Sequence, residues 1–363
     1  MPETVRILMP FTRAVGGGSF VSASLLAKGL VDLGHEVVAL FPQQGPSAEL
    51  FHRQGIPVRV EALPVVAPVK RSPWGLCSFL KGYLATAWAA RRFLLENEFD
   101  IVHCNDDTSI LPWGLAARVL DKRCIWHVRT GRAGRTDQVR LRLADKAICI
   151  SLFVGNRLPD TPKKLTLYNP VDTKVFGPVA DKIMQRQTLG LPKSGLQLIQ
   201  IGRDVAYKRP EWSVKALTNL LRAGVRARLV FLGEFTPQRQ AMLRAMLPPA
   251  NQDRLVFLGW VSNPQDYLAC SDLLLHPADG EHFGRIFIEA AACGVPFLAT
   301  NTGAAPELVA AGLYGELYDD WETPNLLGDV FSRLRADNSD SLSSKFDVTH
   351  SARQFDAVIR RLI

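Results

Sequence analysis

Two glutamates, Glu281 and Glu289, stand with seven residues between them in the stretch PADGEHFGRIFIEAAACGVPFLATNTGAAP, residues 277–306. The short apolar run Leu273–His276 ends at Pro277 and reads as a strand. A helical pattern resumes near Gly284 with Ile286, Phe287, Ala290 and Ala291 at its apolar positions, and Gly294 and Pro296 end it. Glu281 is therefore expected in the loop before the helix, and Glu289 in its early turns. The amides of Phe283, Gly284 and Arg285 fall at the helix N-terminus, where unsatisfied N–H groups and the helix dipole favour anionic oxygens. Carboxylates that accept from sugar hydroxyls, beside amides that donate to phosphate, suit a nucleotide sugar. Taken singly, Glu281 reads as a carboxylate complementing the macrodipole and Glu289 as a solvent-facing helix residue. Neither plain reading explains why both flank Phe283-Gly284.

A second set follows another apolar run. Leu196–Ile201 leads into Gly202-Arg203-Asp204, and Lys208 comes five residues after Arg203. Cations at the C-terminal end of a strand sit where α/β sheets bind ligands. There they would stabilise the charge that grows on a departing diphosphate; a solvated basic loop is the plain alternative. Gly16-Gly17-Gly18, followed by Ser19, separates the first strand from the first helix. Its glycines let amides approach a phosphate or an acceptor, or simply loosen the loop. The run is neither a Rossmann G-x-G-x-x-G nor a phosphate-binding P-loop. His103 and Asn105 end one strand and His127 another, with Arg129 two residues further on. All would rim a cleft from the first half, and a satisfied core histidine is the alternative for His103 and His127. The pair Asp106-Asp107 invites a metal, but a capping role fits its position better.

The elements that must position these residues alternate between strand and helix. In the first half, strands are expected at Val5–Phe11, Glu36–Phe41, Val58–Val60, Ile101–Cys104, Arg123–Val128 and Lys146–Ile150. In the second they are expected at Leu196–Ile201, Arg228–Leu232, Leu255–Phe257, Leu273–Leu275 and Pro296–Ala299, with helices from Pro210 and near Gln238–Met246. Such alternation predicts doubly wound parallel sheets. A chain of 363 residues suits two domains. They are expected at 1–172 and 173–347, joined near Asn169–Pro178, with a loop at Asp337–Ser344 and a last helix in 348–363.

Composition narrows the class. Hydrophobic content of 47% and charged content of 21% are those of an ordinary globular protein. The chain reaches its first strand without a charged-then-apolar leader, and no apolar run nears the ~20 residues that span a bilayer. The six cysteines lack metal-ligand spacing and read as reduced thiols of a cytoplasmic protein. Net charge is +8, with eight Lys/Arg between Lys122 and Lys146 against Asp137 and Asp145. No aromatic platform accompanies them, so nucleic acid is not expected as a partner. Pro73–Leu95 carries Trp74, Phe79, Leu80, Tyr83, Leu84, Trp88, Phe93 and Leu94, flanked by Lys70, Arg71, Arg91 and Arg92. This helix reads either as a core helix over a sheet or as one lying on an anionic membrane.

The segment from Glu281 through Glu289, Cys293-Gly294-Val295-Pro296, Thr302-Gly303 and Glu307-Leu308 resembles the donor-site signature of retaining GT-B glycosyltransferases of family four. LYNPVDTKVFGP resembles the family's interdomain segment, with Pro170 replacing the usual Gly. The resemblance covers almost the whole chain. It implies an α/β fold of two Rossmann-like domains facing across a cleft, with the last helix returning to the first domain. It implies retaining transfer of a sugar from a UDP- or GDP-sugar to a carbohydrate or lipid-linked acceptor, without cofactor or metal. Arg203 and Lys208 would hold the diphosphate, Glu281 the transferred sugar and Glu289 the ribose. Gly16, Gly17, Gly18, Gly202, Phe283, Gly284 and Arg285 would border the donor. The backbone at Trp260 and Val261 would read the base, with Tyr168-Asn169 and Gly233-Glu234 as lesser candidates. His127 would contact donor sugar or acceptor, with His103, Asn105 and Arg129 on the acceptor side. A cytoplasmic location, at the inner face of a membrane or free of it, follows. Two rivals stay open: a catalytically silent GT-B subunit that binds a partner or membrane, and a sugar-nucleotide epimerase of the same fold.

Overall fold

The computed structural model describes residues 3–64, 73–321, 323, 326–328, 330 and 344–363, with the side chains of 73–77 and 79 left out. The expected loop at 337–343, the basic pair Lys70-Arg71 and the side chains of Trp74, Cys77 and Phe79 lie outside the described residues.

The chain divides into two units: Met1–Pro170 with Lys345–Ile363, and Val171–Ser344. In the first, strands β1 (Arg6–Pro10), β2 (Glu36–Phe41), β3 (Val58–Val60), β4 (Ile101–Cys104), β5 (Arg123–Val128), β6 (Lys146–Cys149) and β7 (Lys164–Thr166) form one sheet. Its order is β3-β2-β1-β4-β5-β6-β7 and every pairing is parallel. In the second unit, β8 (Leu196–Ile201), β9 (Ala227–Leu232), β10 (Leu255–Phe257), β11 (Leu273–His276), β12 (Phe297–Thr300) and β13 (Gly315–Tyr318) make a parallel sheet ordered β10-β9-β8-β11-β12-β13. Strands such as RILMP, LQLIQI and LLLH read as near-continuous apolar runs because parallel strands are covered on both faces.

Two strands escaped the sequence reading. Lys164–Thr166 and Gly315–Tyr318 are edge strands of three and four residues, half-buried throughout, and show no apolar run. The chain order reverses between β1 and β4 in the first sheet and between β8 and β11 in the second. These are the switch points at which loops diverge above the strand ends and open α/β sheets take ligands.

The helices fill the faces. Helix α1 (Gly18–Asp32) follows β1, and the C-terminal helix Val348–Ile359 packs across it. Gly29 makes that crossing possible, since a Cβ there would stand 2.6 Å from the Cβ of Ala352. His35 Nε2 meets Asp356 Oδ1 at 2.8 Å, and Phe355, Val358 and Ile359 join the core of β1, β2 and α1. Asp347 caps the C-terminal helix by accepting from Thr349 and His350. In the second unit, β8, β9, β11 and β12 share a core with the helix Pro210–Arg222 and with Trp321.

No helix among the described residues is long and apolar enough to cross a membrane. The helix Pro73–Glu96 packs on the helix Ile110–Val119, with Phe93 edge-on to Trp113. Its opposite side leaves Leu80 (46%), Leu84 (59%), Trp88 (64%) and Leu95 (57%) exposed. Five cysteines, 104, 124, 149, 270 and 293, are free and buried.

Candidate functional site

The second unit gathers its candidates at the β8/β11 switch point. Beyond β8 the chain passes Gly202 and Arg203 into a short 3-10 turn, Ala206–Lys208, and then through Arg209 in a left-handed conformation (φ 45°). The turn is tied down from beneath. Gln200 of β8 donates to the Lys208 carbonyl at 3.0 Å, and Asp279 N donates to the Tyr207 carbonyl at 2.9 Å. The second bond joins this loop to the one after β11, and a pair between Arg209 and Asp279 repeats the join.

Glu281 is set by its own backbone. Its carbonyl accepts from Ala304 N at 2.9 Å, and Gly280 N donates to the Thr302 hydroxyl at 3.1 Å. Gly303 (φ +65°) lies so close that a Cβ would sit 2.4 Å from the Glu281 oxygen and 2.5 Å from its nitrogen. The Thr302-Gly303 pair in the sequence thus serves to seat Glu281. Gly284 (φ +75°) has a like constraint, because a Cβ there would meet the Phe287 ring at 2.4 Å and Glu281 Cγ at 3.1 Å.

On this frame the Lys208 ammonium meets Glu281 Oε2, although the residues are 73 apart in sequence. Each side chain is 16% exposed. The same oxygen lies 3.1 Å from His276 Nε2, and Lys208 Nζ lies 3.4 Å from that nitrogen. Burial alone would raise the Glu281 carboxyl, but the hydrogen bond from His276 and the charge of Lys208 hold it well below the usual carboxylate range. Burial and then the Lys208 charge push His276 down to about 4, against the pull of Glu281. His276 is thus a neutral imidazole at physiological pH. The sequence reading missed it: as the last residue of an apolar run it passed for strand, although the final side chain of a strand at a switch point faces the ligand end.

The remaining second-unit candidates lie on the chain that follows β8, β10 and β11. Arg203 is exposed, and its charge is felt at Tyr207. Helix Arg285–Ala292 begins after Gly284, and within it Arg285 Nη2 and Glu289 Oε1 stand 3.0 Å apart. Glu289 is 17% exposed and so is no freely solvated helix residue. Phe283 is buried at 2%. Trp260 is 75% exposed past the end of β10, and Val261 beside it is half-buried.

The first unit places Gly16, Gly17 and Gly18 exposed in the loop between β1 and α1, with Gly18 opening the helix. His103 is wholly buried inside β4, behind His127 near the end of β5. His103 Nε2 and His127 Nδ1 are 3.1 Å apart, and the Phe355 ring packs on both imidazoles. Burial and the charge of Arg129 lower His103 to about 3, and burial, Arg129 and His103 hold His127 well below its ordinary value. His127 Nε2 is buried without a hydrogen-bond partner and borders a small recess with Asn169, Ser351 and Phe355. Arg129 reaches Asn105 Oδ1 through Nε (3.1 Å) and Nη2 (2.6 Å), and Asn169 Oδ1 through Nη1 (3.0 Å). The ends of β4, β5 and the chain after β7 are pinned together by that fork. Tyr168, beside Asn169, stacks on Phe346, and Gly233 bridges to Gly259.

Asp106 accepts from the amides of Thr108 and Ser109 at 2.7 Å, as a cap does, while Asp107 pairs with Arg157 at 2.9 Å. Much of the basic run 122–146 has structural work. Arg140 pairs with Asp137, Lys122 donates to the Phe99 carbonyl and Lys146 to that of Pro162, leaving Arg132, Arg135 and Arg142 exposed. No group of three or more His, Cys, Asp or Glu among the described residues is placed to hold a metal ion.

Comparison with known proteins adds to this geometry. N-acetyl-alpha-D-glucosaminyl L-malate synthase of Bacillus anthracis is 31% identical over 47% of this chain, an alignment spanning 44% of that relative's length. A D-inositol 3-phosphate glycosyltransferase of Thermobispora bispora is 26% identical over 93% of this chain and 86% of its own. Among solved structures, Anabaena HepE in complex with UDP and glucose superposes with a TM-score of 0.76 at 19% identity, over 98% of this chain and 99% of its own. Residues 16–175 match the family model described as Glycosyltransferase Family 4, and residues 181–341 the one described as Glycosyl transferases group 1. With both halves matched, each on its own parallel sheet, the chain belongs to the group 1 family of GT-B-fold glycosyltransferases.

Proposed function

We propose that this protein transfers a sugar, with retention of anomeric configuration, from a UDP- or GDP-sugar to a saccharide or lipid-linked acceptor. One observation carries the reading: Lys208 and Glu281, an ammonium suited to phosphate and a carboxylate suited to hydroxyls, meet beyond β8 and β11, at the switch point of the second sheet. Arg203, Lys208 and the amides around Gly284 receive the diphosphate, and the two fixed cations supply the positive charge its departure demands. Glu281 accepts from hydroxyls of the transferred sugar, and Glu289, steadied by Arg285, from the ribose. The base lies along the backbone at Trp260 and Val261. His127, Arg129, Asn105 and, through His127, His103 serve the acceptor side. In the transfer the acceptor oxygen bonds to the anomeric carbon on the face the diphosphate leaves. The bond from that carbon to phosphate oxygen breaks, and the acceptor's proton passes to the leaving phosphate.

Calorimetric titration with UDP, GDP and ADP tests the donor site. Saturable binding of one nucleotide, lost in Arg203→Ala, supports it; no binding by a folded protein favours the silent subunit. Turnover of the nucleotide sugar with no acceptor would favour an epimerase.

A membrane partner is the second element of the reading. Leu80, Leu84, Trp88 and Leu95 share one exposed face of the helix Pro73–Glu96, with Lys81 and Arg91 exposed among them. An apolar stripe edged with cations, carrying a tryptophan, suits the interface of an anionic bilayer. Flotation with phosphatidylglycerol vesicles, set against phosphatidylcholine, tests it.

A further inference from the structure

We propose that His276 is the positioning residue of the donor site, donating its Nε2–H to Glu281 Oε2 so that the carboxylate stays in place when a diphosphate draws Lys208 away. The inference rests on the donor-site reading and concerns a residue that reading does not use.

The argument begins with a conflict between two roles. Lys208 is needed at the diphosphate and Glu281 at the sugar, yet in this structure they hold each other. When an anion takes the ammonium, Glu281 loses the partner that compensates its charge. The side chain is 16% exposed, so water cannot fully replace that partner. A carboxylate left so would take up a proton or turn away, and either change would spoil its acceptance of sugar hydroxyls.

His276 removes the conflict. Its Nε2 is 3.1 Å from the same carboxylate oxygen and belongs to β11, the central strand that leads into the Glu281 loop, rather than to the long flexible side chain of a lysine. The imidazole is 2% exposed and stands edge-on to the Phe287 ring, with centroids 4.8 Å apart, so it has little freedom to swing. Lys208 and Glu281 are the charged groups that act on it. The ammonium 3.4 Å away is itself a donor, so it opposes a second proton on the ring. The tautomer with the proton on Nε2 gives both donors one acceptor. When Lys208 leaves, one donor remains.

Selective ¹⁵N-histidine NMR on the full chain reads this hydrogen bond without any ligand. The expected His276 signals are those of a neutral ring with the proton on Nε2, moving upward in titration when Lys208→Met removes the ammonium. A proton on Nδ1, or an unchanged titration in Lys208→Met, overturns the proposal. Kinetics supply the second arm. His276→Gln keeps a donor near the Nε2 position and His276→Leu keeps only bulk. Using whichever of UDP, GDP or ADP binds the wild type, His276→Gln should bind the bare nucleotide within about 3-fold, while His276→Leu should bind it ~10-fold more weakly, because its diphosphate draws Lys208 from Glu281 with no second donor left. With the matching nucleotide sugar, His276→Leu should lose ~10²-fold in kcat while His276→Gln stays within ~10-fold. Equal loss in both variants would make His276 a packing residue and overturn the positioning role. Failure of the wild type to bind any nucleotide would overturn the donor-site reading instead, a result the NMR arm keeps separate.

Discussion

Gly303→Ala strikes at the seat of Glu281 without touching a charged group. The new Cβ would stand 2.4 Å from the Glu281 oxygen and 2.5 Å from its nitrogen, where ordinary contact begins at 3.4 Å. The atoms it meets are backbone, so no side chain can turn aside, and Glu281 must move by about 1 Å. The left-handed φ of +65° adds ~1–2 kcal/mol for any L side chain. With ~1–3 kcal/mol for overpacking, the second unit should lose about 2–5 kcal/mol, or roughly 5–15 °C in Tm. A 1 Å misplacement of a group that positions substrate costs ~10²-fold in turnover. Gly224→Ala is the matched control: its φ is +75° and its Cβ would meet nothing within 4 Å, so strain alone remains. Differential scanning calorimetry and release of nucleoside diphosphate from the nucleotide sugar are the assays. If Gly303→Ala melts and turns over like Gly224→Ala, Glu281 is not seated in the way described.

Acidification should destabilise both units through their buried histidines. In the unfolded chain His276 protonates near 6.5, in the folded chain near 4, so between those values the unfolded state binds more protons and stability falls as pH falls. The full span corresponds to about 3 kcal/mol, and the advantage of wild type over His276→Gln in urea titrations should shrink by about that amount between pH 7 and pH 4. Arg157, 1% exposed, joins Asp107 and Asp137 beneath the Trp126 ring, and Arg157→Met should cost ~3–5 kcal/mol in the first unit by leaving two acids without it. Urea unfolding checks this, and a loss under ~1 kcal/mol would contradict it. Trp88→Glu, at a 64% exposed site, should leave Tm within about 2 °C and abolish flotation with anionic vesicles. Unchanged flotation removes the helix face from the membrane reading.

Strands buried on both faces announce themselves as apolar runs, and so β4, β5 and β8 were legible to the residue, while the edge strand β10 was legible because all three of its residues are apolar. Edge strands β7 and β13, half-buried and short, carry no such signal. The candidate site was legible in pieces, where a motif marks them: the loop holding Glu281, and the cations after Leu196–Ile201. What could not be read was contact across the switch point. Nothing in the spacing of Lys208 and Glu281 says that their charges touch, because that depends on β8 and β11 being neighbours in the sheet. His276 was hidden for the same reason: its partners come from two loops, and its own run is otherwise apolar. His103 behind His127 is a further case, where residues on β4 and β5 meet only because those strands pair.

The most direct test of the account is transfer from a labelled nucleotide sugar by wild type, Lys208→Ala and Glu281→Ala, each shown folded by calorimetry. The account predicts a glycosylated product with the donor's anomeric configuration from wild type, and a fall of at least ~10³-fold in both variants. Wild-type turnover in either variant would contradict the assignment of the site, and an inverted product would contradict the front-face mechanism.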